Sequence, residues 1–395
     1  MVNKKKLAGI IIFFLVLSLS YYLIFFDKYA WHQKAKINSL KYENINVSSI
    51  NQNLTDNSSY IMFEDHIIDN QGNIINYWKS RSFIKLLSNG DIIAQNSFNS
   101  SDKLGRYTWD NEKVWEVDTN IHHDIALTNY NTILTSTKEF HQYNNRSVEF
   151  DTIIEYDLDG NYISNYSTWE NLEELKRHYK TLPFDRPSSF QINKSNSTYS
   201  KKYPGDYDYF HLNSISVIGE NTNSNDSRFK EGNWLISLRT PDLVIILDKD
   251  TKKVVWSYGP GILEGQHNPI ILSSGNMIIY DNGGKKERNY TRVIEINPIN
   301  KEIVWEYKDK DPESFYAKIV GTAQRLSNGN TLITYGTEAN AFEVTPSGEK
   351  VWEFWTPNRY LNRSTIPNPY SFIYRAEIID KEYVDSIIED IKKNY

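Results

Sequence analysis

The sequence contains no cysteine. This absence excludes disulfides, a lipid-modified cysteine and thiolate metal sites. Histidine is also scarce, with eight residues and none after His267. The chain has no P-loop, GxSxG, HExxH or EF-hand spacing, so no common nucleotide, hydrolase or metal motif assigns a function. The net charge of −6 argues against a nucleic-acid partner.

The sequence does contain a repeated hairpin pattern. Its clearest copy is QHNPIILSSGNMIIYDNG over Gln266–Gly283, in which two apolar runs flank a Gly-Asn turn. Four degenerate copies share this pattern: Phe83–Ala94, His122–Thr135, Gly321–Thr334 and a looser one from His211 to Arg239. Such a hairpin is typical of two antiparallel strands.

A strand with a tryptophan follows most of these hairpins. The copies are KVWEV at Lys113, VVWSY at Val254, IVWEY at Ile303 and KVWEF at Lys350. The last three tryptophans are 49 and 47 residues apart. Two hairpins per period give four strands, which is one propeller blade. The chain has no Gly-His pair and only one Trp-Asp pair, Trp109-Asp110, so the repeated signature of a WD40 array is missing.

The blade count predicts an all-β fold, a six-bladed propeller over residues 59–380. Five blades begin near residues 83, 122, 211, 267 and 321. The sixth is expected to combine Phe63–Trp78 with Tyr370–Ile379, which closes the ring and removes exposed edges. Short peripheral helices are expected after Ser167 and over residues 381–395. The irregular insertion 183–210 is interpreted as a lid over the channel.

The N-terminal residues predict a membrane anchor. Leu7–Phe26 carries no charge and follows Lys4-Lys5-Lys6. Twenty apolar residues can span a bilayer, and the basic cluster predicts a cytoplasmic N-terminus with the body outside the cytoplasm, periplasmic or extracellular. We therefore expect an anchor over 1–28 and a polar stalk over 29–58. The alternative is a signal peptide cleaved after Ser18–Ser20.

Three histidines stand at the starts of first blade strands: His123 (or its neighbour His122), His211 and His267. Innermost strands line a propeller channel, so these side chains are expected to converge on one cavity. The alternative is a structural role, in which each histidine only makes hydrogen bonds between neighbouring blades. The other histidines have no such placement and are expected at the surface: His32, His66, His141 and His178.

Arginines and amides follow the same hairpins. The candidates for substrate binding are Asn213, Arg239, Asn282, Arg292 and Gln324, and Arg288 is a further cation. Arginine beside neutral histidine and amides suits an anion such as sulfate or phosphate. The alternatives are a solvated turn for the basic run, and a metal held by the three histidines.

These motifs together resemble the bacterial arylsulfate sulfotransferase family. The resemblance is carried by HHDIAL, HLNSISVI with ISLRTPD, QHNPIILSSGNMIIYDNGG and GTAQRLSNGNTLITYG, and it covers roughly residues 60–380. Family members are six-bladed propellers similar to quinoprotein dehydrogenases. They act outside the cytoplasm and transfer a sulfuryl group from a phenolic sulfate ester to a phenol without a nucleotide donor. The family mechanism passes through a sulfated histidine.

By this resemblance, His211 and His267 match two family histidines, and Arg288 or Arg292 matches a family arginine. The family's nucleophilic histidine belongs to the next blade, which begins here at Val320 and has no histidine. His267 is therefore our first choice as nucleophile, with His211 and His123 as alternatives. Direct transfer between donor and acceptor is a further one. The donor's aryl ring is expected beside Tyr207, Tyr209 and Phe210.

Three functions compete at this point. The first is an exported, membrane-anchored aryl sulfotransferase with an aryl sulfate donor, a phenolic acceptor and no cofactor. The second is a non-catalytic propeller that binds a ligand or a protein partner, which the missing histidine favours. The third is a quinone-dependent dehydrogenase, for which the sequence has no cofactor signature.

Overall fold

A computed structural model provides the structure of the protein. It describes residues 46–79, 81–96, 102–179, 207–284, 288–355 and 373–393. The described residues from 47 to 393 belong to one compact unit. The expected helix Leu7–Phe26 lies outside the described residues, as does most of the stalk. Within the described ranges, no helix has the length and apolarity needed to cross a bilayer.

Strands of the described residues form six antiparallel sheets, which are the blades of a propeller. Blades 1 to 5 each contain four strands in chain order. Blade 1 contains β5 (Arg81–Leu86), β6 (Ile92–Asn96), β7 (Lys103–Tyr107) and β8 (Lys113–Val117). Blade 2 contains β9 (Ile125–Leu127), β10 (Thr132–Tyr143), β11 (Arg146–Asp157) and β12 (Tyr162–Ser167). Blade 3 contains β14 (Leu212–Val217), β15 (Trp234–Leu238), β16 (Leu243–Leu247) and β17 (Val254–Tyr258).

The remaining blades follow the same plan. Blade 4 contains β18 (His267–Ile271), β19 (Met277–Asp281), β20 (Arg292–Asn297) and β21 (Glu302–Tyr307). Blade 5 contains β22 (Thr322–Arg325), β23 (Thr331–Tyr335), β24 (Asn340–Val344) and β25 (Lys350–Trp355). The six-bladed all-β fold predicted from the repeats is therefore confirmed.

The closing blade joins the two ends of the body. It contains β26 (Ala376–Asp380), β2 (Ser59–Phe63), β3 (His66–Ile68) and β4 (Ile74–Tyr77), in that order. Residue Tyr60 pairs with Ile379, and Phe63 pairs with Ala376. The expected contact between the two segments is present. The C-terminal segment supplies one strand rather than half the blade, and that strand is the innermost.

The repeated tryptophans join neighbouring blades. In four blades the fourth strand carries a tryptophan whose indole N–H donates a hydrogen bond to the next blade. The acceptor is a backbone carbonyl in the turn between the third and fourth strands of that next blade. The pairs are Trp115 with Leu158 at 3.0 Å, Trp256 with Pro298 at 2.9 Å, Trp305 with Pro346 at 2.8 Å and Trp352 with Asn70 at 2.8 Å. Each such bond is worth about 1 kcal/mol. The tryptophan period in the sequence therefore reflects a contact between blades.

In the described part of the chain, two α-helices pack against the outside of the blades. Helix α1 (Leu172–Leu175) follows Ser167, whose hydroxyl accepts from the backbone N–H of Glu170 at 3.0 Å. Helix α2 (Lys381–Lys393) buries Val384 and Ile387. Val384 packs in the core shared by the closing blade and blade 1, as the amphipathic pattern predicted.

Two further strands extend the blades. Strand β1 (Asn46–Ser49) adds a fifth strand to blade 5, so the end of the expected stalk lies against the propeller. Strand β13 (Tyr207–Asp208) pairs with β11. The next residues, Tyr209 and Phe210, are fully buried in the core of blades 2 and 3 and do not offer a surface for an aryl ring. The rest of the expected lid, up to residue 206, lies outside the described residues.

Candidate active site

One cavity at the channel is lined by residues from all six blades. Its volume is about 320 Å³, including the part open to solvent. One lining residue from each blade, in chain order, is Phe83, His123, Asn213, His267, Val320 and Arg375. This convergence follows from the fold, because the inner strand of every blade faces the axis.

The backbone is strained where the inner strands begin. Five non-glycine residues there have a positive φ: Phe83 at 51°, His123 at 73°, His211 at 53°, Asn268 at 47° and Val320 at 55°. Such conformations cost about 1–2 kcal/mol each and cluster at functional sites. The pairing of the inner strand shifts register in three of these blades, and a bulge re-aims side chains. The strain therefore lies where side chains reach the channel.

Three histidines cluster on the side of blades 2 and 3. The ring centroids of His122 and His123 are 3.7 Å apart, and those of His123 and His211 are 4.7 Å apart. Burial holds the pKa of both His122 and His123 well below the ordinary value. These imidazoles are therefore neutral at neutral pH. The structure brings the rings of His123 and His211 into contact, but His211 is not among the residues that line the channel cavity.

The Nε2 atom of His123 is buried and makes no hydrogen bond. His123 also lines the channel cavity. A neutral imidazole with an uncommitted ring nitrogen can act as a base or as a nucleophile. The folded protein therefore leaves Nε2 of His123, a residue that lines this cavity, without a hydrogen-bond partner.

His211 is held by Asp208. The carboxylate accepts from the backbone N–H of His211 at 2.9 Å and from its Nδ1–H at 2.5 Å. Burial lowers the pKa of His211 despite the opposing effect of Asp208. Burial alone would raise the pKa of Asp208, but His211 reverses this and lowers it. Together these directions describe a neutral imidazole that donates to a charged carboxylate, which fixes the ring and its tautomer.

His267 is fixed at both ring nitrogens. Its Nδ1–H donates to Asn282 Oδ1 at 2.7 Å and to the Gly265 carbonyl at 3.0 Å, and its Nε2 accepts from the Val320 N–H at 3.3 Å. Burial, followed by the charge of Arg239, lowers the pKa of His267 to about 3. His267 lines the cavity as expected, but its acceptor nitrogen already has a partner. This makes it a weaker nucleophile than its motif suggested.

Among the described residues that line the cavity, Arg375 is the arginine, and the sequence interpretation missed it. It donates to Asp124 at 2.9 Å and to Glu377 at 3.0 Å, while Lys85 donates to Glu377 at 2.7 Å. Burial opposes ionisation of Glu377, but Lys85 and Arg375 lower its pKa to about 2. Asp124 belongs to blade 2 and Arg375 to the closing blade, so their ion pair links two blades that are not neighbours.

The arginines expected at the site lie elsewhere. Arg288 and Arg292 both donate to the buried carboxylate of Asp281, at 2.6 and 2.8 Å, and neither lines the channel cavity. A buried carboxylate needs such partners. Gln324 is also structural, because its side-chain oxygen accepts from the Ile378 N–H at 2.7 Å. Asn282 holds His267 and donates to Val320 O at 2.7 Å.

The other two predicted binding residues lie close to the histidines. Arg239 donates to the Lys318 carbonyl at 3.2 Å, and burial lowers its pKa to about 10. Its charge lowers the pKa of both His211 and His267. Asn213 lines the cavity and donates to the Gln266 carbonyl at 2.8 Å, which leaves its Oδ1 buried without a partner.

A metal site was an alternative for the histidines. Across the described ranges, no group of three or more histidine, aspartate and glutamate side chains is placed to hold a metal ion.

Solved structures similar to this chain are distant. A protein of unknown function from Bacteroides caccae is 13% identical, with a TM-score of 0.48, covering 82% of this chain and 99% of that one. A streptogramin B lyase is 14% identical, with a TM-score of 0.42 and coverages of 80% and 89%. A virginiamycin B lyase from Staphylococcus aureus is 11% identical, with a TM-score of 0.39 and coverages of 78% and 74%. These similarities are too low to indicate a function for this chain.

Sequence comparison is more informative. None of the curated proteins compared with the chain matches it. The profile of the family described as arylsulfotransferase (ASST) matches residues 84–357, which is well over half of the chain. The match begins within the inner strand of blade 1 and ends just after blade 5, so it includes the inner strands of blades 2 to 5 in full. This chain therefore belongs to the arylsulfotransferase family.

Proposed function

We propose that the protein transfers a sulfuryl group from a phenolic sulfate ester to a phenolic acceptor, without a nucleotide donor, in the channel cavity. The observation that supports the proposal is that His123 and Arg375 both line that cavity. Nε2 of His123 makes no hydrogen bond. Family membership supports sulfotransferase chemistry in general.

The cavity supplies the groups that sulfuryl transfer needs. Negative charge on the three sulfonate oxygens requires preorganised cations and hydrogen-bond donors. Arg375 provides a guanidinium whose position is fixed, since it donates to Asp124 and Glu377. The acceptor phenol needs a base, and a neutral imidazole serves that role near neutral pH.

His123 is our choice for the acting imidazole. Nε2 of His267 accepts from Val320, whereas Nε2 of His123 makes no hydrogen bond. Two routes fit this assignment. In one, His123 attacks sulfur and then passes the group to the acceptor. In the other, His123 removes the proton from an acceptor that attacks directly.

A non-catalytic channel that binds an anionic ligand is the second candidate. Two observations favour it: Arg375 already has two carboxylate partners, and the strand start at Val320 carries no histidine. Under this alternative, the cavity would bind aryl sulfates without turning them over.

An assay with the purified full-length chain separates the two candidates. The protein is incubated with p-nitrophenyl sulfate, with and without a phenol. Release of p-nitrophenol that depends on the acceptor, together with formation of the sulfated acceptor, supports transfer. Binding of the sulfate ester without release in either arm supports the non-catalytic alternative and overturns the proposal.

We also propose that the body lies outside the cytoplasm behind an anchor at Leu7–Phe26. The support is the basic cluster before that uncharged run. The full-length protein should be found in the membrane fraction, and protease added to spheroplasts, which lack an outer barrier, should degrade its body. Protection of the body in spheroplasts would contradict this location, and a free mature body that begins near Tyr21 would indicate signal cleavage.

A further inference from the structure

Two acidic side chains of blade 2 lie beside the histidines and have no role in the account so far. Strands β10, β11 and β13 are neighbours in one sheet, with Lys138 opposite Asp151 and Glu149 opposite Asp208. Because alternate residues of a strand share a face, Glu149 and Asp151 point to the same side of the sheet. We call Glu149 and Asp151 the carboxyl pair.

The carboxyl pair is short of compensating charge. Glu149 and Asp151 are fully buried, and Asp208 is 8% exposed. The buried side chain of Lys138 forms an ion pair with Glu149, while Asp208 accepts from His211. One ammonium cannot neutralise three buried carboxylates, and an uncompensated buried charge is costly. The arrangement therefore favours a proton on at least one member of the pair.

Asp151 faces the histidines through an atom without a partner. Its Oδ2 accepts from the Leu212 N–H at 3.0 Å, whereas its Oδ1 makes no hydrogen bond. That Oδ1 lies 3.6 Å from Nδ1 of His122, which also makes none. One proton between these two atoms would satisfy both. Burial, followed by the charge of Asp208, raises the pKa of Asp151 well above its ordinary value, so Asp151 carries this proton.

Glu149 releases its proton more readily than Asp151. Burial and the charge of Asp208 raise the pKa of Glu149 to about 7, while Lys138 opposes this shift. The charge on Glu149 therefore changes in the neutral pH range.

Lys138 connects that change to the histidines. Burial is the main reason for the low pKa of His122, His123 and His211, and the positive charge of Lys138 lowers each further. Protonated Glu149 does not offset that charge, whereas ionised Glu149 does. Ionisation should therefore make the imidazoles more basic.

Two other charged groups act on these rings, Arg239 and Asp208. Arg239 lowers the pKa of His211, and Asp208 raises the pKa of His123 and His211. The pKa of Arg239 is about 10, and that of Asp208 is below its ordinary value. Neither charge changes near neutral pH, so Glu149 is the group of this set that does.

We propose that the protonation state of the carboxyl pair sets the reactivity of His123, which is weak while the pair is uncharged and stronger once it ionises. This inference rests on the proposed function, because the ring of His123 gains positive charge in both of its routes. In one route Nε2 bonds to sulfur, and in the other it takes the proton of the acceptor phenol. The pair loses its proton to solvent and makes no bond to the substrate, so Glu149 and Asp151 are positioning residues.

The pH dependence of kcat/KM tests the effect on His123. The full-length protein is assayed from about pH 5.5 to about pH 8.5 with p-nitrophenyl sulfate and a phenol whose own pKa is about 10, so that the acceptor stays neutral. The wild-type value should rise on the order of tenfold with a midpoint near the pKa of Glu149, about 7. Glu149→Gln imitates the protonated form, so it should keep the low-pH value and lose most of the rise.

Glu343→Gln is the matched control. Burial also raises the pKa of Glu343, but this residue lies on β24, accepts from Asn330 at 2.6 Å and does not line the cavity. The control should keep the full rise. A rise of wild-type size in Glu149→Gln, or an equal loss at every pH in a variant shown to be folded by circular dichroism, would overturn the inference.

Infrared spectroscopy in heavy water tests the protonation without turnover. Ordinary carboxyl groups are ionised at about pH 6.5, so the band of a protonated carboxyl reports a raised pKa. The difference between wild type and Asp151→Asn should contain this band. The difference between wild type and Glu149→Gln should contain one that fades as pH rises through about 7.

The two measurements separate the outcomes. Absence of both bands overturns the inference even if transfer occurs. Absence of turnover in the wild type overturns the proposed function, while the bands still decide whether the carboxyl pair holds a proton.

Discussion

Blades 2 and 3 bring imidazoles to the channel, whereas the closing blade brings a guanidinium. On the first side, His122, His123 and His211 form a cluster of contacting rings. On the second side, Arg375 is surrounded by carboxylates and Lys85. The cavity lies between the two sides.

This difference separates two tasks. Burial keeps the histidines neutral, so they can accept a proton or attack an electrophile. The opposite side stays charged, because Asp124 and Glu377 compensate the buried guanidinium. A phosphate-like or sulfate-like group placed between them would meet a base on one side and a cation on the other.

Arg375→Met should have the largest effect. It leaves the buried Asp124 without its cation, so we expect a loss of about 3–5 kcal/mol in unfolding free energy. Turnover of aryl sulfates should fall on the order of 10³-fold, since a transition-state cation is lost. Arg292→Met is the matched control, because Arg288 still pairs with Asp281. If both variants lose turnover equally, the assignment of Arg375 to the site fails.

His123→Ala should come next. Loss of the acting imidazole should lower turnover on the order of 10²-fold or more. Removal of the ring from its contacts with His122 and His211 should also lower the free energy of unfolding, so turnover is compared on protein that is folded in the assay. His141→Ala, on a strand of blade 2 and not among the cavity residues, is the control. Wild-type rates in the His123 variant would move the acting role to His211 or His267.

Asn282→Ala should have a smaller effect. It removes the oxygen that accepts from His267 Nδ1–H, and loss of such an orienting partner typically costs about tenfold to a hundredfold. Because Asn282 does not line the cavity, KM should change less than kcat. A change confined to KM would instead indicate direct contact between Asn282 and the substrate.

The neutral histidines should make folding stability sensitive to acid. The unfolded chain binds a proton at each histidine near pH 6.5, whereas folded His267 has a pKa of about 3. The unfolded state therefore binds more protons between these values, and stability is full above about pH 6.5 and falls as pH decreases. The slope per such histidine is at most about 1.4 kcal/mol per pH unit. Urea titrations at several pH values give the unfolding free energy of wild type and of His267→Gln. The two slopes of this free energy against pH should differ by the amount that corresponds to one proton. Equal slopes would mean that folded His267 binds protons as the unfolded chain does.

The fold was predictable because its signals are periodic. Trp256, Trp305 and Trp352 recur with the blades since each donates to the next blade, and that contact is repeated by the geometry of the ring. The sequence did not show how many strands each end of the body contributes to the closing blade. The apolar pattern of the C-terminal segment fits one strand as well as two.

The site was only partly predictable. His123 and His267 were expected at the channel because they begin repeated hairpins, and both line its cavity. Arg375 begins the inner strand of the closing blade at a corresponding place, but that strand has no hairpin partner in its own segment, so no repeat marked it. Arg288 and Arg292 were misleading, since the sequence could not show that the buried Asp281 engages both.

A double-mutant cycle on His123 and Arg375 tests most directly whether the two sides of the channel act on one group. The measurement is kcat/KM for sulfuryl transfer from p-nitrophenyl sulfate in wild type, His123→Ala, Arg375→Lys and the double variant. If both side chains act on the same transition state, their effects should be strongly non-additive, and the double variant should be little worse than the poorer single variant. Two losses that simply multiply, or singles that retain wild-type rates, would contradict the account.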